Sequence, residues 1–193
     1  KSEIIRDSLQ FVKDTNIPLP SLVEISDSGT CNRSCPFCPR SDPNYKDVKE
    51  FITKKLHTKI FKELAELNYK GLVIYSGFNE PLLNKKAYKQ IVSARKYLPD
   101  AKIELITNGD VLNEKRLIKL FENGLDRLLI SVYDTQDDVH KFNQLAEKCK
   151  LSKQVIVRDR TLPPEEDFGI TLSNRAGSMN NAEYKIKPLD NMD

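Results

Sequence analysis

No apolar run in this 193-residue chain approaches the roughly 20 residues that a membrane-crossing helix needs, and no stretch reads as a secretory signal. A membrane role is not expected. Charge of one sign is also missing: 31 basic residues stand against 28 acidic ones, and the lysines are scattered over helical faces. That balance reads as a solvated surface and leaves out nucleic acid as a partner. Cysteines are few, four in all, and three of them are clustered, which is no disulfide framework and points to a reducing, cytoplasmic setting. Histidine is scarcer still. Of the two, His57 is read on the polar side of a helix and His140 beside a charged run, neither near the chemistry below. The adjacent Glu165 and Glu166 fall on one loop and make no catalytic carboxylate pair. There is no low-complexity tract and no repeat beyond an alternation of strands and helices. With 39% hydrophobic and 31% charged residues, the chain reads as one soluble globular domain.

What the sequence does have is Cys31-Asn-Arg-Ser-Cys35-Pro-Phe-Cys38, three cysteines in eight residues spaced C-x3-C-x2-C, shortly after the apolar run Leu22-Val23-Glu24-Ile25. A loop this short lets three sulfurs converge on one metal centre, and three ligands leave a coordination position open. Closed structural sites use four protein ligands, whereas catalytic metals keep a vacancy. Soft thiolates select zinc, copper(I) or iron–sulfur. The fourth cysteine, Cys149, falls in register with Val139, Phe142 and Ala146 on one helical stripe, which predicts a buried, inert thiol.

Around that loop the hydrophobic pattern alternates. Residues 1–20 read as a helical lead-in, capped by Ser2, with Ile5, Leu9 and Val12 on its apolar side and Pro18 and Pro20 at its end. Strands are expected at Leu22 to Ile25, Gly71 to Ser76, Lys102 to Thr107, Arg127 to Val132, Gln154 to Val157 and Phe168 to Leu172. Helices fall between them: one from Thr53 with Leu56, Ile60, Leu64 and Leu67 on one side, one over 84–98, one from Asn113, and one over 135–149. The stretch holding Pro43 and Asn44 reads as polar loop. Such alternation implies right-handed crossovers and a parallel sheet, with reacting groups at the carboxyl ends of the strands. One rim then collects the cysteines, Ser76-Gly77-Phe78-Asn79-Glu80-Pro81, Thr107-Asn108-Gly109, Ser131 and Arg158. Arg160 is expected to point away from Arg158.

The cysteine spacing, with the aromatic Phe37 just before the last cysteine, resembles the cluster loop of the radical S-adenosylmethionine (radical SAM) superfamily. The resemblance covers roughly residues 21–177 and implies an α/β fold, a partial (β/α)6 TIM-like barrel of parallel strands. Residues 178–193 read as a tail that stops before, or lacks, the C-terminal cluster extension of some members. By the resemblance, Cys31, Cys35 and Cys38 hold a 4Fe-4S cluster whose fourth iron takes S-adenosylmethionine. Reductive cleavage then gives a 5'-deoxyadenosyl radical that abstracts hydrogen from a substrate. Gly77, Asn79 and Glu80 match the glycine-rich segment that meets the aminoacyl end of the cofactor, with Asn79 where a second glycine is usual. Thr107, Asn108, Ser131 and Arg158 match further cofactor-binding positions, and Phe37 would wall the adenine. Asn174-Arg175-Ala176-Gly177 resembles a segment that puts Arg175 on the substrate side. The implied partners are a one-electron donor of the flavodoxin or ferredoxin type and a peptide or small polar metabolite. A glycyl-radical-enzyme activase and a non-catalytic zinc-binding interaction domain stay open as alternatives.

Overall fold

A computed structural model describes residues 10–163, 166 and 169–170. Its centre is one parallel sheet of β1 (Leu22–Ile25), β4 (Leu72–Tyr75), β5 (Lys102–Thr107), β6 (Arg127–Val132) and β7 (Val155–Asp159), hydrogen-bonded in that order. The order is the chain order. Strands are added on one side only, so the sheet winds as a barrel does and has no switch point of the doubly wound kind. Helices α1 (Lys54–Glu66), α2 (Ala87–Tyr97), α3 (Glu114–Glu122) and α4 (Gln136–Lys148) make the crossovers. Among the described residues no helix is long and apolar enough to cross a membrane.

The strands form where apolar runs can be covered on both faces: all four residues of β4 are buried, as are five of six in β6. Helix starts follow side-chain capping. Thr53, Asn113 and Thr135 each accept a hydrogen bond from the backbone N–H three residues on, which satisfies one of the orphan donors of α1, α3 and α4. Gly124, at φ +100°, closes α3 in the left-handed conformation.

Several expectations need correction or fall outside the described residues. The lead-in helix over Ile5 and Leu9, the sixth strand at Phe168 to Leu172 and the segment with Arg175 fall wholly or largely outside them. Where the lead-in is described, the chain turns instead of coiling: Phe11 bridges Pro18, and Val12 donates its N–H to the Ile17 carbonyl at 2.9 Å. Asp14 takes φ 60° at the bend, a conformation that Asp tolerates and a helix forbids. The stretch read as polar loop also contains a strand. β2 (Ser28–Gly29) and β3 (Val48–Phe51) pair antiparallel outside the main sheet and bracket residues 30–47 at their base.

His57 is the third correction. The pattern put it on the polar side of α1, but it is only 3% exposed, with Nε2 2.8 Å from the Tyr75 hydroxyl and its ring 4.5 Å from Phe61. The inward stripe runs through His57, Ile60, Phe61 and Leu64, while Leu56 is 49% exposed. Burial lowers the His57 pKa from 6.5 to about 4. The folded state therefore keeps a neutral ring where the unfolded chain takes up a proton. This stability is complete above pH 6.5 and is lost as pH falls toward 4, by up to about 3 kcal/mol. Thermal melts by circular dichroism should show wild-type Tm falling across that window more steeply than the Tm of His57→Gln. Parallel slopes would contradict the assignment.

Candidate active site

The ends of β1, β4, β5 and β6 open onto one cavity. Cys31, Cys35 and Cys38 line it together with Phe37, Gly77, Asn79, Glu80, Thr107, Asn108 and Ser131. Arg158 does not line it, but reaches it through Ser131, donating from Nη2 to Oγ at 2.5 Å.

All three clustered cysteines are free and half-buried. Burial pushes the Cys31 and Cys35 thiols above the ordinary range, so a metal would have to displace their protons on binding. Donors wait for the thiolate form. The Arg33 backbone N–H lies 3.4 Å from Cys31 Sγ, and Asn108 Nδ2 lies 3.9 Å from it. Three soft sulfurs with hydrogen-bond donors around them fit an iron–sulfur cluster. A zinc site completed by His57 does not fit, because His57 is held by Tyr75 and lies off the cavity.

Two arginines, Arg33 inside the cysteine loop and Arg40 just past Cys38, fix its shape, and sequence reasoning missed both. Arg33 grips Asp110 through Nε and Nη2 at 2.7 and 2.5 Å. It also grips Asp134 through Nη1 and Nη2 at 3.0 and 2.6 Å. The cysteine loop is thereby clasped to the rims after β5 and β6, and Arg33 holds the Asp134 carboxyl below its usual range. Arg40 turns inward and donates to the carbonyls of Gly29, Phe78 and Cys31 at 2.9, 3.3 and 3.4 Å. A signal existed: one basic residue inside the C-x3-C gap, and an acid two or three residues past each of two strands. Arg33→Ala should loosen the clasp, costing about 1 kcal/mol because the pair is half-exposed. The larger effect should be faster loss of iron from the reconstituted protein during anaerobic gel filtration; retention equal to wild type would count against the clasp.

The segment after β4 is built by sterics and buried polar contacts. Gly77 has φ +127°, and a Cβ there would lie 2.0 Å from Ser26 Oγ. Asn79 donates from Nδ2 to Asp27 at 2.7 Å, and Asn84 donates to the same carboxylate at 3.1 Å. Asp27 is 1% exposed, and burial raises its pKa. Glu80, 2% exposed, accepts from the Leu82 N–H, the Thr107 hydroxyl and the Asn108 N–H at 2.9, 2.7 and 2.7 Å. The resemblance matches Glu80, with Gly77 and Asn79, to the segment that meets the aminoacyl end of the cofactor. In the structure Glu80 ties the β4 rim to the β5 rim. Phe37 stacks at a tilt on Tyr133, with centroids 5.2 Å apart.

Arg160 corrects another expectation. Its backbone N–H donates to the Val132 carbonyl at 2.8 Å, which continues the β7 ladder, so it shares the face of Arg158. Cys149 caps the end of α4 and is half-buried, less enclosed than the stripe predicted.

A family model described as the radical SAM superfamily matches residues 25–149. The chain is 30% identical over 171 residues to the S-adenosyl-L-methionine-dependent 2-deoxy-scyllo-inosamine dehydrogenase of Niallia circulans, an alignment covering 86% of this chain and 64% of that one. A crystal structure of BtrN in complex with AdoMet and 2-DOIA superposes with a TM-score of 0.71 at 27% identity, over 84% of this chain and 63% of that one. Native anSMEcpe with bound AdoMet shares the fold at 20% identity and a TM-score of 0.55, over 70% of this chain and 43% of that one. The chain thus spans less than two thirds of the length of these relatives. The family match runs from the end of β1 through α4 and takes in the whole cysteine loop and the rim from Gly77 to Ser131; the chain belongs to the radical SAM superfamily, whose members use a 4Fe-4S cluster and S-adenosylmethionine.

Proposed function

We propose that this chain is the core of a radical SAM oxidoreductase that holds its cluster through Cys31, Cys35 and Cys38 and removes hydrogen from a small polar metabolite. One observation carries the reading: three free thiols share a single cavity with groups from three other strand ends. When bound, the cluster and S-adenosylmethionine supply one-electron, hydrogen-abstracting chemistry.

The chain's own residues bind and orient. The left-handed backbone at Gly77 lets main-chain carbonyls approach the cofactor's ammonium, and Asp27 fixes the neighbouring Asn79. Thr107 and Asn108 hold the β5 rim to Glu80, while Asn108 and the Arg33 N–H donate toward Cys31 Sγ and favour its thiolate. Arg158, braced on Ser131, offers a charge-assisted fork to the cofactor's carboxylate. Phe37 and Tyr133 form an apolar wall against water. A one-electron donor of the flavodoxin or ferredoxin type completes the system.

The relative's name, a dehydrogenase acting on an inosamine, supports a small metabolite over a peptide or a partner enzyme. The test is anaerobic reconstitution followed by dithionite, S-adenosylmethionine and a panel of polyols, amino sugars and short peptides. The expected result is 5'-deoxyadenosine in step with a substrate oxidised by two electrons, from the small-molecule arm. Fully loaded protein that makes no 5'-deoxyadenosine would overturn the reading.

A further inference from the structure

Asp27 is a buried carboxylate whose side-chain donors among the described residues are neutral amides. It is 1% exposed and accepts from Asn79 Nδ2 at 2.7 Å and from Asn84 Nδ2 at 3.1 Å, with Gln90 as a further side-chain donor. Burying a carboxylate among neutral donors is costly, and burial raises its pKa. An uncharged acceptor would tie the same two asparagines at less cost, so the acid calls for its own reason.

The chemistry of the donor set supplies one. An ionised carboxylate only accepts, so Asn79 must present its NH2 to Asp27 and its oxygen the other way. That oxygen lies 3.3 Å from where a Cβ of Gly77 would stand, and it is buried with no hydrogen-bond partner of its own. The negative end of the amide is thus turned toward the φ +127° turn, on a residue that lines the cavity. A neutral amide at position 27 could donate as well as accept, and Asn79 would be free to turn over. Asn84, tied to the same carboxylate, fixes the far end of the segment.

We propose that Asp27 is a positioning residue for the aminoacyl end of the cofactor: it locks the Asn79 amide with its oxygen toward the Gly77 turn, so that this end of the cavity favours an ammonium group. The inference rests on the reading of the cavity as the S-adenosylmethionine site. It also gives a reason for asparagine where the resemblance leads one to expect glycine, since the side chain belongs to the wall and Asp27 holds it.

Calorimetric titration of the reconstituted full chain with S-adenosylmethionine, S-adenosylhomocysteine and methylthioadenosine tests it. The first two carry the ammonium, and the third lacks the whole aminoacyl group. Asp27→Asn, which keeps the shape but lets the Asn79 amide turn over, should weaken the first two about tenfold and leave methylthioadenosine unchanged. Asn79→Ala should do the same, and adding Asp27→Asn to it should cost little more, because the carboxylate works through that amide. Asn79→Ala read alone serves if Asp27→Asn does not fold, and the double variant decides where methylthioadenosine binds too weakly to read. Unchanged S-adenosylmethionine affinity in either single variant, an equal loss for all three ligands, or losses that simply add in the double variant would each overturn the inference while leaving the cofactor site standing. Wild-type protein that ignores S-adenosylmethionine would overturn the cofactor reading, and the role of Asp27 with it.

Discussion

Alanine at any one of Cys31, Cys35 or Cys38 is expected to abolish both iron retention and 5'-deoxyadenosine formation, whereas Cys149→Ala leaves both intact. The three thiols line one cavity and no other cysteine approaches it, so two sulfurs would be left to hold a cluster that needs three. No neighbour can substitute, because the nearest carboxylate in the wall, Glu80, is already held by three protein donors. Cys149 lies at the far end of α4, where its backbone N–H continues the helix to Leu145 at 3.1 Å. Its replacement removes only a half-buried sulfur and should cost about 1 kcal/mol of stability or less. Iron and sulfide assays on the four variants, with melts to confirm folding, separate ligands from packing. Iron loss in Cys149→Ala would break the ligand assignment.

Gly77→Ala should be the next most damaging change. The added methyl meets two obstacles. At φ +127° an L-residue is strained by about 1–3 kcal/mol, and the methyl would stand 2.0 Å from Ser26 Oγ. Ser26 could swing away only by giving up its 3.0 Å hydrogen bond to the Ser76 carbonyl, which closes the same turn. The segment would shift, carrying with it the backbone that meets the cofactor. S-adenosylmethionine affinity should drop about tenfold to a hundredfold, more than the melting temperature alone would suggest. Adding Ser26→Gly to Gly77→Ala should recover part of the loss by removing the contact but not the backbone strain. Calorimetric titration with S-adenosylmethionine reads both variants, and wild-type affinity in Gly77→Ala would show that this turn does not touch the cofactor.

The parts of this protein legible in the sequence are those governed by local rules. Strands such as Leu72–Tyr75 and Lys102–Thr107 are apolar runs that only a covered parallel sheet can bury, and Thr53, Asn113 and Thr135 announce their helices by capping chemistry. The cysteine loop was visible because its ligands are neighbours in the chain. What escaped was long-range or faceless. Arg33 finds Asp110 and Asp134 across separations of 77 and 101 residues, which no spacing rule encodes. β3 is exposed at every residue, so it has no buried face for a pattern to reveal. His57 was misplaced because the leucines of α1 suggested a stripe rotated from the one that packs, and a buried histidine looks polar until its tyrosine partner is known. The face shared by Arg158 and Arg160 was readable all along from the two-residue period of a strand.

Electron paramagnetic resonance of the reconstituted, dithionite-reduced protein, recorded with and without S-adenosylmethionine, bears most directly on whether three thiols of one loop leave a cluster corner free for the cofactor. A reduced 4Fe-4S signal that changes shape when S-adenosylmethionine is added, and is absent from Cys35→Ala, is the predicted result. A signal indifferent to S-adenosylmethionine, or an iron-free protein carrying zinc on the same three cysteines, would contradict it.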